Sequence, residues 1–552
     1  MNNKDLANLI FPNINKTIMD YEKEYPKREL PEGSIVTRYA PSPTGFIHIG
    51  ALLASFIASS FSKQTNGVVI LRIEDTDTKR TMDNGIEIII NGLREYGVIF
   101  DEGPISENEE IGSYGPYIQS NRKEIYHAFV KYLLEEGKAY PCFCSEEELE
   151  TTRNMQTQAR ERIGYYGKWA KCRNNSIEES YNRIKNNEPF VIRFKSPGDF
   201  NKIITYTDVI KGNIEMPEND LDIVIMKSDG LPTYHFAHLV DDHLMRTTHV
   251  IRADEWVPSV PIHIQLFEAF NFEKPYFCHI SPLLKNDEGS IRKLSKRKDP
   301  ECAMSFYHEL GVPNESVLLY LATIANSDFE EWYLKNKDKN ISDFTFTFDK
   351  IGKSGALFDI EKLKNISKEF ISTLKANDLY DRVSDYLLKY DNEFYQIFTK
   401  DKDYSIKILN IQREVEKPRK DLTHYGGVKN EYIYMYDELY DKLEKHYIYP
   451  YITDKEEVKC ILKVYIDKYY DQNDNQEDWF NKIKDLSQEF GYAREVKDFK
   501  NNQSMYKGHV GDVSTILRIA LTSRDKTIDL YSIMQLLGKN RIEDRYNKII
   551  DE

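Results

Sequence analysis

Several groups of residues in this 552-residue chain have types and spacings that could do chemistry. His48 and Gly50 stand two apart at the head of an apolar run. Glycine lets a backbone approach a phosphate closely and a histidine ring can donate to a phosphate oxygen, so the pair suits an anion held at a helix start. Arg292-Lys293-Leu294-Ser295-Lys296-Arg297-Lys298 packs five cations into seven residues, which by itself describes a solvated basic loop as readily as a phosphate site. Cys142, Cys144 and Cys172 form a C-x-C pair with a third thiol 28 residues on, three of the four ligands a structural zinc requires. No histidine lies between 145 and 171, so a fourth ligand would come from Tyr165, Tyr166 or a carboxylate. Three buried, reduced thiols are the more ordinary reading. Tyr234 and Arg252 stand near strand ends, where a Tyr and an Arg serve packing more often than binding.

The elements that must position these groups follow from periodicity. Ser34-Ile35-Val36-Thr37 alternates like the start of a strand, and Ala51 to Phe61 has helical spacing, which puts Gly45 and Gly50 in the turn between them. Val68 to Ile73 reads as a second buried strand, closed by Glu74-Asp75-Thr76-Asp77. Strand, glycine turn, helix and strand make a βαβ unit. Helices are predicted over 85–96 and 122–136, the latter capped by Gly137. Alternation in Phe190–Phe194 and Leu221–Ile225 predicts antiparallel strands of a small α/β insertion. The strand His249–Arg252, followed by Ala253-Asp254-Glu255-Trp256, returns the chain to the nucleotide fold, whose ligands lie at strand ends. An amphipathic stretch from Leu6 to Tyr21 predicts a helix packed on the core, and beyond about 372 the pattern is almost wholly helical.

Length implies three or four domains. No stretch approaches the ~20 apolar residues of a membrane span, and the N-terminus lacks the order of a signal peptide, so a cytoplasmic protein with no membrane partner is expected. Six cysteines in this length make no disulfide framework. A net charge of −15 weighs against a nucleic-acid partner without excluding one, because basic residues can gather on one face of an acidic protein.

The string Arg38-Tyr39-Ala40-Pro41-Ser42-Pro43-Thr44-Gly45, followed by His48-Ile49-Gly50-Ala51, resembles the HIGH signature of class I aminoacyl-tRNA synthetases in its glutamyl form, with Ala51 in place of the last histidine. Pro232-Thr233-Tyr234-His235 and Val250-Ile251-Arg252-Ala253 resemble further blocks of that family, and Lys293-Leu294-Ser295-Lys296-Arg297 resembles its KMSKS element. The resemblance implies a Rossmann-type parallel-sheet catalytic domain in two halves (34–140 and 230–290) after an N-terminal extension (1–33). It implies an inserted acceptor-end-binding domain (141–229), a lysine loop with a stem-contact region (291–372) and an all-α anticodon-binding domain (373–552).

The same resemblance implies a chemistry. His48, Gly50, Lys293 and Lys296 would act on ATP, with Glu255 and Trp256 beside it, while Arg38, Ala40, Ser42, Glu74, Tyr234 and Arg252 would hold L-glutamate. The partners would be ATP with Mg²⁺, L-glutamate and tRNA(Glu), served by a monomer, and some family members carry zinc in the inserted region. A glutaminyl enzyme would share the fold, but a second buried arginine suits a neutral amide poorly. A non-catalytic RNA-binding paralogue would be expected to lose His48 or the lysine pair, which are present.

Overall fold

The computed structural model describes residues 1–551 except 44–46, 78–81, 83, 446, 451 and 453, so Gly45 lies outside the described residues. The chain forms two compact units, Met1–Phe306 with Leu318–Asp359, and Tyr307–Val317 with Ile360–Glu552.

The first unit is built on a parallel sheet. Val36–Tyr39 pairs in parallel with Val68–Leu71, and His249–Ala253 pairs in parallel with Tyr276–Ile280. Thr248 joins the two pairs, its amide donating to Val36 O (3.0 Å) and its hydroxyl accepting from Val36 N (2.9 Å). The helix Ile49–Gln64 crosses from the first strand to the second and buries Leu52, Leu53, Phe56, Ile57 and Phe61, as its apolar run predicts. Ile203–Asp208 continues the sheet at Phe277 and folds back through Gly212–Pro217.

Antiparallel Ala139–Cys142, Val191–Phe194 and Val224–Met226 form the separate sheet of the inserted segment. The predicted helix over Leu6–Tyr21 is instead two, Asn3–Ile10 and Ile18–Glu24. Pro12 cannot donate into a continuing helix, and Thr17 restarts one by exchanging capping bonds with Asp20. Glu22 in the second helix pairs with His243 (2.5 Å) and Arg246 (2.7 Å), at the end of the helix Tyr234–Leu244.

The second unit is helical around a core rich in tyrosine, with Tyr432, Tyr434, Tyr465 and Tyr546 fully buried. Tyr546 satisfies its hydroxyl on Leu517 O (2.9 Å). The last helical stretch, Leu530–Asp551, is broken at Gly538, which takes φ +76°, and the helix resumes after it. Among the described residues no helix is long and apolar enough to cross a membrane.

Candidate active site

His48 caps the helix Ile49–Gln64, and its Nδ1 accepts from the Ala51 amide at 3.1 Å. The bond assigns the proton to Nε2 and leaves an N–H free to meet an anion. Burial, with the nearby Lys296 and Lys293 charges adding to it, pulls the imidazole down to about 4, so it is neutral near pH 7. A Cβ on Gly50 would sit 3.2 Å from His48 Nδ1, which accounts for glycine there. The helix start lines a cavity of about 600 Å³ together with Ser281, Lys293 and Lys296, a volume that fits a nucleotide.

The lysine loop is fastened at its base. Arg292 grips Asp299 through both terminal nitrogens (2.6 and 2.8 Å), the Ser295 amide donates to the same carboxylate (2.8 Å), and Lys285 adds an ion pair at 3.1 Å. These cations and the amide hold the Asp299 carboxyl far below its usual range. Inside the clasp Lys293 pairs with Glu255 at 2.5 Å, while Lys296 has no hydrogen-bond or ion-pair partner among the described residues.

On the other side of the strand ends lies a buried charge network. Arg38 donates from Nε to Asp242 (3.1 Å) and from Nη1 to Ile251 O (3.4 Å). Arg72 bridges Asp242 (2.5 Å) and Glu74 (3.1 Å). Burial would raise the Asp242 carboxyl, but Arg38, Arg72 and His238 outweigh it and hold it well below the ordinary range. Burial pushes Glu74 up despite Arg72 and Arg38.

Arg252 differs from these arginines. It is buried at 6% exposure, and no carboxylate among the described residues lies within ion-pairing distance of it. Its guanidinium donates to His279 Nε2 (3.1 Å), His263 Nδ1 (3.2 Å) and Tyr234 Oη (3.3 Å), with His238 Nε2 at 3.5 Å. Burial lowers its pKa, as expected of a cation taken from water without an anion. Tyr234, read as lying near a strand end, opens the helix Tyr234–Leu244 and packs against Trp256 with ring centres 4.3 Å apart and planes tilted by 32°. Trp256 therefore stands on the Arg252 side. Ala40 is half-buried and Ser42 exposed.

In the inserted segment the sulfurs of Cys142, Cys144 and Cys172 lie within 4.8 Å of one another. The Tyr165 hydroxyl sits 3.3 Å from Cys142 and from Cys144, and accepts from the Cys172 amide at 3.0 Å. Three thiols and a phenol oxygen thus converge as four donors, a set that fits zinc.

Residues 34–365 match the model of the family described as tRNA synthetases class I (E and Q), catalytic domain. The chain belongs to this family. A "Glutamate--tRNA ligase" of Acetivibrio thermocellus is 47% identical over 551 residues, with all of both chains covered, and one of Sorangium cellulosum is 39% identical over 96% of this chain and 97% of its own. Among solved structures, a glutamate tRNA ligase from Elizabethkingia meningosepticum in complex with its amino acid superposes with a TM-score of 0.75 at 27% identity, over 94% of this chain and 99% of that one. The expected fold class, a Rossmann-type catalytic region with an α/β insertion and a helical C-terminal region, is the synthetase one.

Several site residues lay outside the sequence reading. His279 sits on the strand beside Arg252 and in register with it, and His238 lies one turn after Tyr234 and one before Asp242. The Tyr234, His238, Asp242 spacing of four was the available signal. Nothing in the lysine run pointed to Asp299.

Neutral buried histidines also set the acid limit of the fold. Burial is the main cause that lowers His48, His235 and His249 to about 4 and His238 to about 3, against an ordinary 6.5. Below 6.5 the unfolded chain therefore binds more protons than the folded one, and stability falls as pH drops from about 6.5 toward 4. Melting temperatures of the free protein should decrease from pH 7 to pH 5, and a rise over that interval would contradict these assignments.

Proposed function

We propose that the chain is a glutamate–tRNA ligase of protein synthesis, joining L-glutamate to the 3′ end of tRNA(Glu) through a glutamyl-adenylate. The α-carboxylate attacks the α-phosphorus of ATP and pyrophosphate leaves; a terminal ribose hydroxyl of the tRNA then takes the glutamyl group and AMP departs. The observation that carries the choice of amino acid is Arg252, a buried cation whose polar partners are neutral rings. An anion is what such a site lacks. A glutamine amide would bring its NH₂ toward N–H donors and leave the charge unmatched, which disfavours the glutaminyl reading.

The reaction requires no protein nucleophile, so catalysis rests on placement and charge. The free Nε2–H of His48 suits an ATP phosphate oxygen, and Gly50 leaves the approach to the helix start open. Lys296 meets the leaving phosphates. Lys293 joins it by exchanging Glu255 for phosphate, and Mg²⁺ brought with ATP supplies further positive charge. Arg38 keeps Nη2 for the α-carboxylate, since its other nitrogens are engaged by Asp242 and Ile251 O. Glu74 offers its second oxygen to the ammonium, and Ala40, Ser42, Tyr234 and Trp256 complete the surroundings.

The inserted segment 141–229 would contact the acceptor end and the region 373–552 the anticodon. Charging assays pairing purified glutamate and glutamine tRNAs with each amino acid test the proposal, and a preference for glutamine as amino acid would overturn it.

Cys142, Cys144, Cys172 and Tyr165 would hold a structural zinc in the inserted segment, fastening the strand that ends at Cys142 to the loop around Cys172. Protein purified without chelator should contain about one zinc per chain, with the three thiols shielded from alkylation until the metal is removed. Metal-free protein whose three thiols alkylate at once would leave the plain-thiol reading.

A further inference from the structure

Asp208, His279 and Arg252 form a line of three buried side chains on neighbouring strands. His279 Nδ1 lies 2.6 Å from Asp208 Oδ2, and His279 Nε2 lies 3.1 Å from Arg252 Nε. Arginine only donates, so Nε2 must carry the lone pair and Nδ1 the proton that Asp208 accepts. Asp208 is itself fixed, accepting from the amides of Ile210 (3.0 Å) and Lys211 (2.8 Å), and both Asp208 and His279 have no side-chain exposure. The same logic runs along a second arm. Arg252 Nη2 donates to His263 Nδ1, so the proton of His263 is on Nε2, 3.0 Å from His235 Nδ1.

The chemical type of these acceptors matters. A carboxylate at the position of His279 would orient the guanidinium equally well but would neutralise it, and the cation would then have little left for a ligand carboxylate. A serine or water would leave it charged but loosely aimed. A neutral imidazole with a locked tautomer gives direction without charge. Three other buried arginines of the unit show the contrast. Arg72 is held between Asp242 and Glu74 and Arg122 touches Asp241 at 2.7 Å, so their charges are already matched, while Arg38 has to share Asp242 with Arg72 and keeps part of its charge.

We infer that His279, locked by Asp208, is a positioning residue that aims Arg252 while keeping its charge unspent for the side-chain carboxylate of the amino-acid substrate. The inference rests on the reading of Arg252 as the partner of that carboxylate, and it adds that specificity depends on His279 being uncharged. The locked tautomer makes Asp208 part of the same device. With asparagine there, the amide can present its NH₂ to Nδ1, the ring proton moves to Nε2, and donor then faces donor at Arg252.

The test measures ATP–pyrophosphate exchange dependent on glutamate and, separately, on glutamine, with tRNA present, on the full chain, in H279Q, H279E, D208N and R252A. H279Q keeps a neutral acceptor and should hold the KM for glutamate within about threefold of the parent. H279E supplies an anion and should raise that KM by roughly tenfold or more while leaving the KM for ATP near the parent's. D208N should raise it as well and recover toward neither pH extreme. A charged variant that folds with the parent's melting temperature yet keeps the parent's KM for glutamate would overturn the inference, as would equal losses in H279Q and H279E, which would make His279 a packing residue. Should H279E fail to fold, D208N with the parent's KM overturns it instead. R252A separates the two levels: if it retains the preference for glutamate over glutamine, the reading of Arg252 falls; if it loses the preference while H279E does not, only the role of His279 falls.

Discussion

Arg252→Ala is expected to lose most activity on glutamate while the much smaller activity on glutamine stays level or rises, so that the ratio between the two collapses. The substrate carboxylate would enter a site where burial has removed water and where, once the guanidinium is gone, the neutral rings that held it are left in its place. Stripping one partner from a buried charge pair costs about 3–5 kcal/mol, which corresponds to roughly 10²- to 10³-fold or more in kcat/KM. Glutamine, which gains little from the cation, has correspondingly little to lose. Competition kinetics with both amino acids measure the ratio directly. A mutant that keeps the parent's preference would pass the specificity role to Arg38 and Tyr234.

The second large effect belongs to Lys296. It has no hydrogen-bond or ion-pair partner among the described residues, so its removal breaks no such bond there, and the loss should appear when charge builds on the departing phosphates. Lys296→Ala should lower kcat by on the order of 10²-fold or more with little change in the KM for glutamate. Lys293 begins the reaction paired with Glu255, and its contribution is reduced by the cost of leaving that carboxylate. Pyrophosphate exchange equal in mutant and parent, with tRNA present, would remove Lys296 from the transition state.

What the sequence showed and what it hid divide along physical lines. The strand, glycine turn and helix at His48 are local: apolar spacing and glycine position place them, and the structure keeps them within a few residues. The tail reads as helix for the same reason. Proline did interrupt locally at Pro12, but the amphipathic pattern on either side masked it. The surroundings of Arg252 are different in kind. His238, His263 and His279 reach it from a helix, a second helix and an adjacent strand, and only the parallel register of two strands brings His279 opposite Arg252. Likewise Asp299 is an ordinary acid in a basic run until the loop closes on Arg292, and Tyr165 is one of two adjacent tyrosines until the fold turns its hydroxyl onto two sulfurs.

The first unit takes its chain in two pieces, and this has a consequence for the order of synthesis. The helix that His48 caps is finished by residues made almost 300 positions later. Phe61 stacks on Phe348 with ring centres 3.8 Å apart, Phe56 meets Phe346 edge-on, and Gln64 exchanges two bonds with the backbone of Phe346. Leu283 and Leu284, at the start of the hairpin that leads into the lysine loop, pair with Ala356 and Leu357. A nascent chain emerging from the ribosome therefore exposes the outer face of its nucleotide helix until residue 359 is out. Pairing over such a sequence separation is slow to form because the intervening loop must close first. A fragment ended at 306 holds every residue assigned to ATP and glutamate, yet it should bind hydrophobic dye and aggregate, whereas one carried through 359 gains the covering aromatics.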